Sequence, residues 1–86
     1  MRRYINRGGM PVARKGDGTL TEDHVYQIAG TSDCVIRVDS KVTGHRYWLA
    51  GMLDTADNGV EFAWAFTGTP GDVQRTRDGA VQRLNR

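Results

Sequence analysis

The sequence predicts a mainly β domain of the α+β kind: a small antiparallel β-meander of about four strands, with an extended basic N-terminal arm before it and a C-terminal helix after it. Three observations carry this reading. Asn58-Gly59 and Thr43-Gly44 stand between apolar alternations and read as hairpin turns. Closed independently, the two turns bring the same set of apolar side chains to one face. The first 20 residues, by contrast, are interrupted by Gly8-Gly9, Pro11, Gly16 and Gly18 and hold few apolar residues.

Residues 1–20 are therefore expected as the arm, with Tyr4, Ile5, Met10 and Val12 as its few anchors, and residues 21–86 as a single β-rich domain. His24–Ala29 reads as a strand that returns through Gly30-Thr31-Ser32-Asp33. Tyr26 and Ile28 make its better core pair, in competition with Val25 and Ala29. A short helix capped by Thr21 and stopped at Gly30 is the alternative. A type I′ turn at Asn58-Gly59 pairs Thr55 with Phe62, Leu53 with Trp64 and Gly51 with Phe66. A turn at Thr43-Gly44 pairs Val38 with Leu49, Ile36 with Gly51 and Cys34 with Leu53. The expected core face thus holds Cys34, Ile36, Val38, Leu49, Leu53, Phe62, Trp64 and Phe66, with Trp64→Ala the most damaging change. At the C-terminal end Thr69 reads as a cap, Pro70 as the first helical position and Asp72 as a first-turn acid. Val73, Ala80, Val81 and Leu84 form the apolar stripe. A hairpin at Asp78-Gly79 competes, but it has no clean apolar face.

A chain of 86 residues makes one domain, and one this small buries only about 60–65 % of its unfolded surface. Cys34 is the single cysteine, so neither an intramolecular disulfide nor a multi-cysteine metal site can form. Small secreted domains usually need such staples, and residues 1–20 hold no continuous apolar stretch of the signal-peptide kind. The expected setting is a virion or the cytoplasm. The longest apolar runs, Trp48–Leu53 and Phe62–Phe66, are too short to span a bilayer as helices. The net charge of +2 is unevenly placed. Residues 1–16 carry five bases and no acid, residues 17–72 nine acids against three bases, and residues 73–86 four bases against one acid. An acidic body with basic ends suits an acidic protein surface or nucleic acid as partner.

Catalytic patterns are thin. Cys34, His45 and Asp33 or Asp39 supply the residue types of a nucleophile, a base and an orienting acid, yet Cys34 falls on an apolar strand face. His24 and His45 match no metal-ligand spacing, Asp54, Asp57 and Asn58 make an incomplete calcium loop, and Gly16-Asp17-Gly18 lacks the context of a phosphate loop. No cofactor is implied. The other face of the meander is more suggestive, with Trp48 and Met52 beside small residues and Arg37 and Arg46 at the rim. Aromatics and arginines around an apolar centre are the composition of a binding hot spot, and the competing reading is that the C-terminal helix packs on this face and makes it internal. The expectation is a non-catalytic protein-binding module that docks through Arg2, Arg3, Tyr4, Arg7, Arg14 and Lys15 of the arm and Arg37, Arg46, Trp48 and Met52 of the sheet. Its partner would be a larger assembly, neighbouring subunits or a second copy. A phage-type virion accessory is the leading setting. A small phage-encoded inhibitor of a host defence complex, or a nucleic-acid binder using the basic arms, are the alternatives.

Overall fold

The computed structural model describes residues 3–14, 20–66, 73–74 and 77–84. Its elements are β1 (Tyr4–Arg14), β2 (Leu20–Ile28), β3 (Asp33–Asp39), β4 (Arg46–Thr55), β5 (Glu61–Ala65), the short β6 (Val73–Gln74) and one helix, α1 (Arg77–Leu84). Strands β1 to β5 pair in succession as antiparallel neighbours, from β1–β2 through β3 to β4–β5. The ring then closes through a parallel pairing of Val12–Arg14 on β1 with Ala63–Ala65 on β5. Beyond β5, on the same edge of β4, β6 pairs with Trp48 and Leu49. The mainly β class with one short helix is as expected. The architecture is instead a closed five-strand barrel, and the open four-strand meander is corrected.

The extra strand is the expected arm. Tyr4–Arg14 is β1, and its Met10 and Val12 lie in the barrel core. Its irregular sequence concealed a strand whose face changes partway. Asn6 pairs with Tyr26, but the next paired residue is Gly8, opposite Val25, so Arg7 is an extra residue in a β-bulge. Gly8 adopts φ +70°, a conformation that side chains with a Cβ rarely take. Before the bulge, even-numbered Tyr4 points outward with Ile28 and Tyr26. After it, even-numbered Met10 and Val12 point inward with Val25. A strict period-two reading across residues 4–14 could not have found both faces.

The barrel interior is filled by Met10, Val12, Val25, Cys34, Ile36, Val38 and Leu49, with Ala63 and Ala65 on β5. On β3 and β4 the inward face matches expectation, although the register is two residues different. Cys34 opposes Gly51, Ile36 opposes Leu49 and Val38 opposes Tyr47. The cause is a longer loop. Ser40 N–H donates to the His45 carbonyl, 3.0 Å, and Gly44 N–H donates to the Ser40 carbonyl, 2.9 Å. A shift of two keeps every side chain on its face.

On β5 the register differs by one, which exchanges the faces. Leu53 opposes Ala63, and Met52 opposes Trp64. Phe62 and Trp64 therefore point outward and Ala63 and Ala65 inward, the reverse of the expected core assignment. A type I′ turn needs positive φ at Asn58, whereas only Gly59 in this loop has it, at +85°. Gly59 N–H donates to the Ala56 carbonyl, 2.8 Å, and Ala56 N–H to the Val60 carbonyl, 2.9 Å. These bonds define a type I turn followed by a left-handed glycine, which is a three-residue loop. Small residues on this wall also suit the narrow interior of a five-strand barrel. Gly51 lies directly against it: a Cβ there would sit 2.3 Å from the Trp64 carbonyl oxygen.

Val25, not the Tyr26 and Ile28 pair, fills the barrel from β2, and the helical alternative for that segment is replaced by a nine-residue strand. Tyr26 and Ile28 face outward into a second cluster, where Ile28, Val35, Ala80 and Val81 are buried and Tyr4, Tyr26 and Trp48 are partly buried. Helix α1 thus covers one sector of the outer wall. It begins at Arg77, and Asp78 and Gly79 lie within it, so the hairpin alternative is excluded. Val73 belongs to β6 rather than to the helix. The expected cap at Thr69, with Pro70 and Asp72, lies outside the described residues.

Candidate functional site

The expected docking residues do not come together. Arg2 and Lys15 lie outside the described residues. Arg3 is exposed, and its carbonyl accepts from Ala29 N–H, 2.9 Å. Tyr4 carries the Arg77 guanidinium over its ring at 4.0 Å, which ties β1 to α1. Arg7, the bulged residue, donates to Gln27 Oε1, 2.9 Å, and forms an ion pair with Glu61. Arg14 is half-buried opposite Ala65. Arg37 donates to the Tyr26 hydroxyl, 3.3 Å, and approaches Asp39, 3.6 Å. Arg46 holds the same carboxylate at 2.7 Å. Trp48 packs against Tyr26, ring centroids 5.7 Å apart, in the cluster that α1 covers. These charges are largely satisfied inside the fold. Of the expected sheet residues, Arg46 and Met52 remain exposed, Arg46 paired with Asp39 and Met52 opposite Trp64.

The residues offered for catalysis are also separated. Cys34 lies near the start of β3, opposite Gly51, whereas His45 lies in the loop at the other end of that strand. Burial, with the Asp33 carboxylate as a smaller cause, pushes the Cys34 thiol up to about 12. The thiolate nucleophile is thus disfavoured at neutral pH. A neutral folded thiol also has a consequence for stability. Unfolding releases it to ionise near its ordinary value of 9.0, so the folded state holds the extra proton between about pH 9 and 12. Over that window it weakens the fold by up to about 1.4 kcal/mol per pH unit. Cys34→Ala is expected to be less stable than the parent at pH 7.5 through lost packing, with the gap narrowing at pH 10.5. Urea midpoints at the two pH values measure this, and a constant gap would contradict a buried thiol.

A charged hollow of about 270 Å³ lies on the outer wall beside Glu22, His24, Arg37, Asp39 and Lys41. His24 Nε2 is 2.6 Å from Asn6 Oδ1, and its ring tilts against Tyr26, 4.9 Å between centroids. The Arg46 hydrogen bond is the main cause holding the Asp39 carboxyl below its usual range. Asp39 is paired with Arg37 and Arg46, while Asp23 also lines this hollow. Among the described residues no three of His, Cys, Asp and Glu are grouped so as to hold a metal ion. The suggested calcium residues act in the turn instead: Asn58 Oδ1 accepts from Val60 N–H, 3.1 Å, and Asp54 Oδ1 from Thr55 N–H, 2.8 Å.

The sector of the wall away from α1 holds a larger groove, about 500 Å³. Its apolar lining comes from Pro11 and Ala13 of β1, Leu20 of β2, Val60, and Phe62 and Trp64 of β5. The β5 face exchange described above is what puts the two aromatics here. Their rings meet edge to face, 5.2 Å between centroids at 70°. Trp64 Nε1–H donates to Asp54 Oδ2, 3.0 Å, which fixes the indole. That bond, then the Thr55 backbone bond, lowers the Asp54 carboxyl from its ordinary range. Leu20 is 71 % exposed and Val60 50 %, so the groove opens to solvent along its rim. The sequence signal for it was Ala56-Asp57-Asn58-Gly59, which suits a type I turn with glycine at the fourth position and implies the face exchange. Comparison with family models, curated proteins and solved structures finds no match for this chain. Among the described residues no helix is long and apolar enough to cross a membrane.

Proposed function

We propose that the protein is a non-catalytic protein-binding module whose docking surface is the Phe62–Trp64 groove. The observation that carries this is the groove itself, apolar, anchored by two packed aromatics and covered by none of the described residues, on a barrel whose opposite sector is already closed by α1. Aromatic anchors in a desolvated centre are where binding energy concentrates at protein interfaces. A small-molecule site needs a few convergent polar groups to orient its ligand. Here the lining offers the Asn58 amide, whose oxygen is used by Val60. Phosphate backbones need clustered bases, whereas exposed Asp54 and Asp57 adjoin this surface.

The virion and inhibitor settings are both uses of such a module, and the complex with which the chain sediments from its source distinguishes them. Phe62→Ser and Leu20→Ser test the surface. Each is expected to retain a cooperative melt and to weaken capture of the co-purifying partner by about tenfold or more. Arg37→Ser and Arg46→Ser are expected to leave capture within about twofold. The reverse pattern would remove the groove from the interface.

A further inference from the structure

The occupant of the groove has a readable chemistry, an inference that rests on the docking reading above. We infer that the groove takes a cationic apolar segment of another protein, seating aliphatic or aromatic anchors on Phe62 and Val60 and a Lys or Arg over the Trp64 face beside Asp54 and Asp57. Charge is the first argument. Glu22, opposite Pro11, and Asp54, opposite Phe62, are exposed acids beside lining residues, as is Asp57 between Ala56 and Asn58. Glu61 is also adjacent, but Arg7 pairs with it. Among the described residues the base next to the lining is Arg14, half-buried at the opposite end, opposite Ala65. The end near the β4–β5 loop is therefore the negative one, and a bound cation belongs there.

The indole supplies the second argument. Trp64 has one polar hydrogen and gives it to Asp54. It has none left for a ligand carbonyl, so the groove cannot grip an extended proline-rich backbone through that donor. Donation to a carboxylate instead places negative charge at the ring edge and makes the indole face more attractive to a cation. The two aromatics touch edge to face, leaving no slot between them for a caged quaternary ammonium. A cation must lie on an outer ring face, attached to a segment whose apolar part covers the remainder. A second copy of the chain is disfavoured by the same charges, because a two-fold contact through this groove would bring Asp54 and Asp57 against their own counterparts.

The test is selection from a random twelve-residue display library against the full chain, with each recovered peptide then measured by fluorescence anisotropy. Recovered peptides are expected to combine apolar anchors with Lys or Arg. Exchanging those bases for Glu is expected to weaken binding about tenfold. The difference is expected to shrink to about twofold in the Asp54→Asn, Asp57→Asn double variant, where the side-chain amide oxygen introduced at position 54 can still accept the indole hydrogen. Val60→Ser and Phe62→Ser, checked for a cooperative melt, are expected to lose all recovered peptides. Val60 is half-exposed beside the loop, so its variant stays informative if Phe62→Ser is damaged. Neutral or acidic peptides, or bases whose exchange changes nothing, would overturn the charge inference while leaving the groove as a docking surface. Peptides that bind Val60→Ser undiminished, or no enrichment at all, would overturn both.

Discussion

A chain starting at Lys15 is expected not to fold. Removing residues 1–14 takes away β1, and with it Met10, Val12 and Ala13, all buried. Burying a Met or Val side chain is worth about 1.5–3 kcal/mol each, against a total of about 5–15 kcal/mol for an ordinary domain. The loss does not stop at those side chains. Strand β2 loses nine paired positions and β5 loses its parallel neighbour, so two backbone edges open at once. The Arg77 contact with Tyr4 goes too, loosening α1 over Ile28 and Val35. Circular dichroism with urea titration reads the result: a broad, non-cooperative loss of signal for the truncated chain and a sharp transition for the parent. A sharp transition in the truncated chain would mean that β2 to β5 hold without closure, as an arm-bearing meander would.

Gly51→Ala carries the next largest effect. The added carbon would meet the Trp64 carbonyl oxygen at 2.3 Å and Ile36 Cδ1 at 2.9 Å. The first contact is the serious one, because it involves backbone in the β4–β5 ladder, where Gly51 opposes Ala65. Relief requires β5 to move away from β4, which also disturbs its pairing with β1. Overpacking of this kind costs about 3 kcal/mol, read as a lowered urea midpoint at unchanged slope. Ile36→Val in the same chain is expected to recover little, since it clears the side-chain contact but leaves the carbonyl. Full recovery, or a loss below about 1 kcal/mol, would place the strain on Ile36 rather than on the ladder.

Much of the fold was legible where a single periodicity operates. Cys34, Ile36, Val38 and Leu49 alternate cleanly, and an error of two in the register of β3 and β4 left them facing inward. The Asp33–Asp39 and Arg46–Thr55 strands and the helical Ala80 and Val81 were legible on the same grounds. What failed was phase. On β5 large and small residues alternate equally well in either orientation, and the choice hung on one dihedral at Asn58. On β1 a bulge reversed the alternation midway, so no stripe was visible and the strand resembled an arm. The site followed those two errors. Trp48, offered as a docking anchor unless the helix packed on its face, lies under α1, and Trp64, expected in the core, lines the groove. The basic residues near the start looked like a contiguous patch only because their strand was not recognised. In place, Arg7 answers Glu61 and Tyr4 answers Arg77.

The extra residue at Arg7 works like a shifted reading frame. Everything before it is read out of phase with everything after it, so one strand writes to two layers: Tyr4 to the layer under α1, Met10 and Val12 to the barrel. The frame is held by the bend at the bulge rather than by the number of residues. Straightening the bulge with Arg7 retained would turn Tyr4 and Ile5 over, whereas deleting Arg7 would leave Asn6 opposite Tyr26 and Tyr4 opposite Ile28, still on the outer layer. A Cβ at position 8 would be strained at φ +70° and would press on that bend, so a substitution there, rather than an insertion or deletion, is the change that would loosen the helical cover over Tyr26 and Trp48 while sparing the barrel interior.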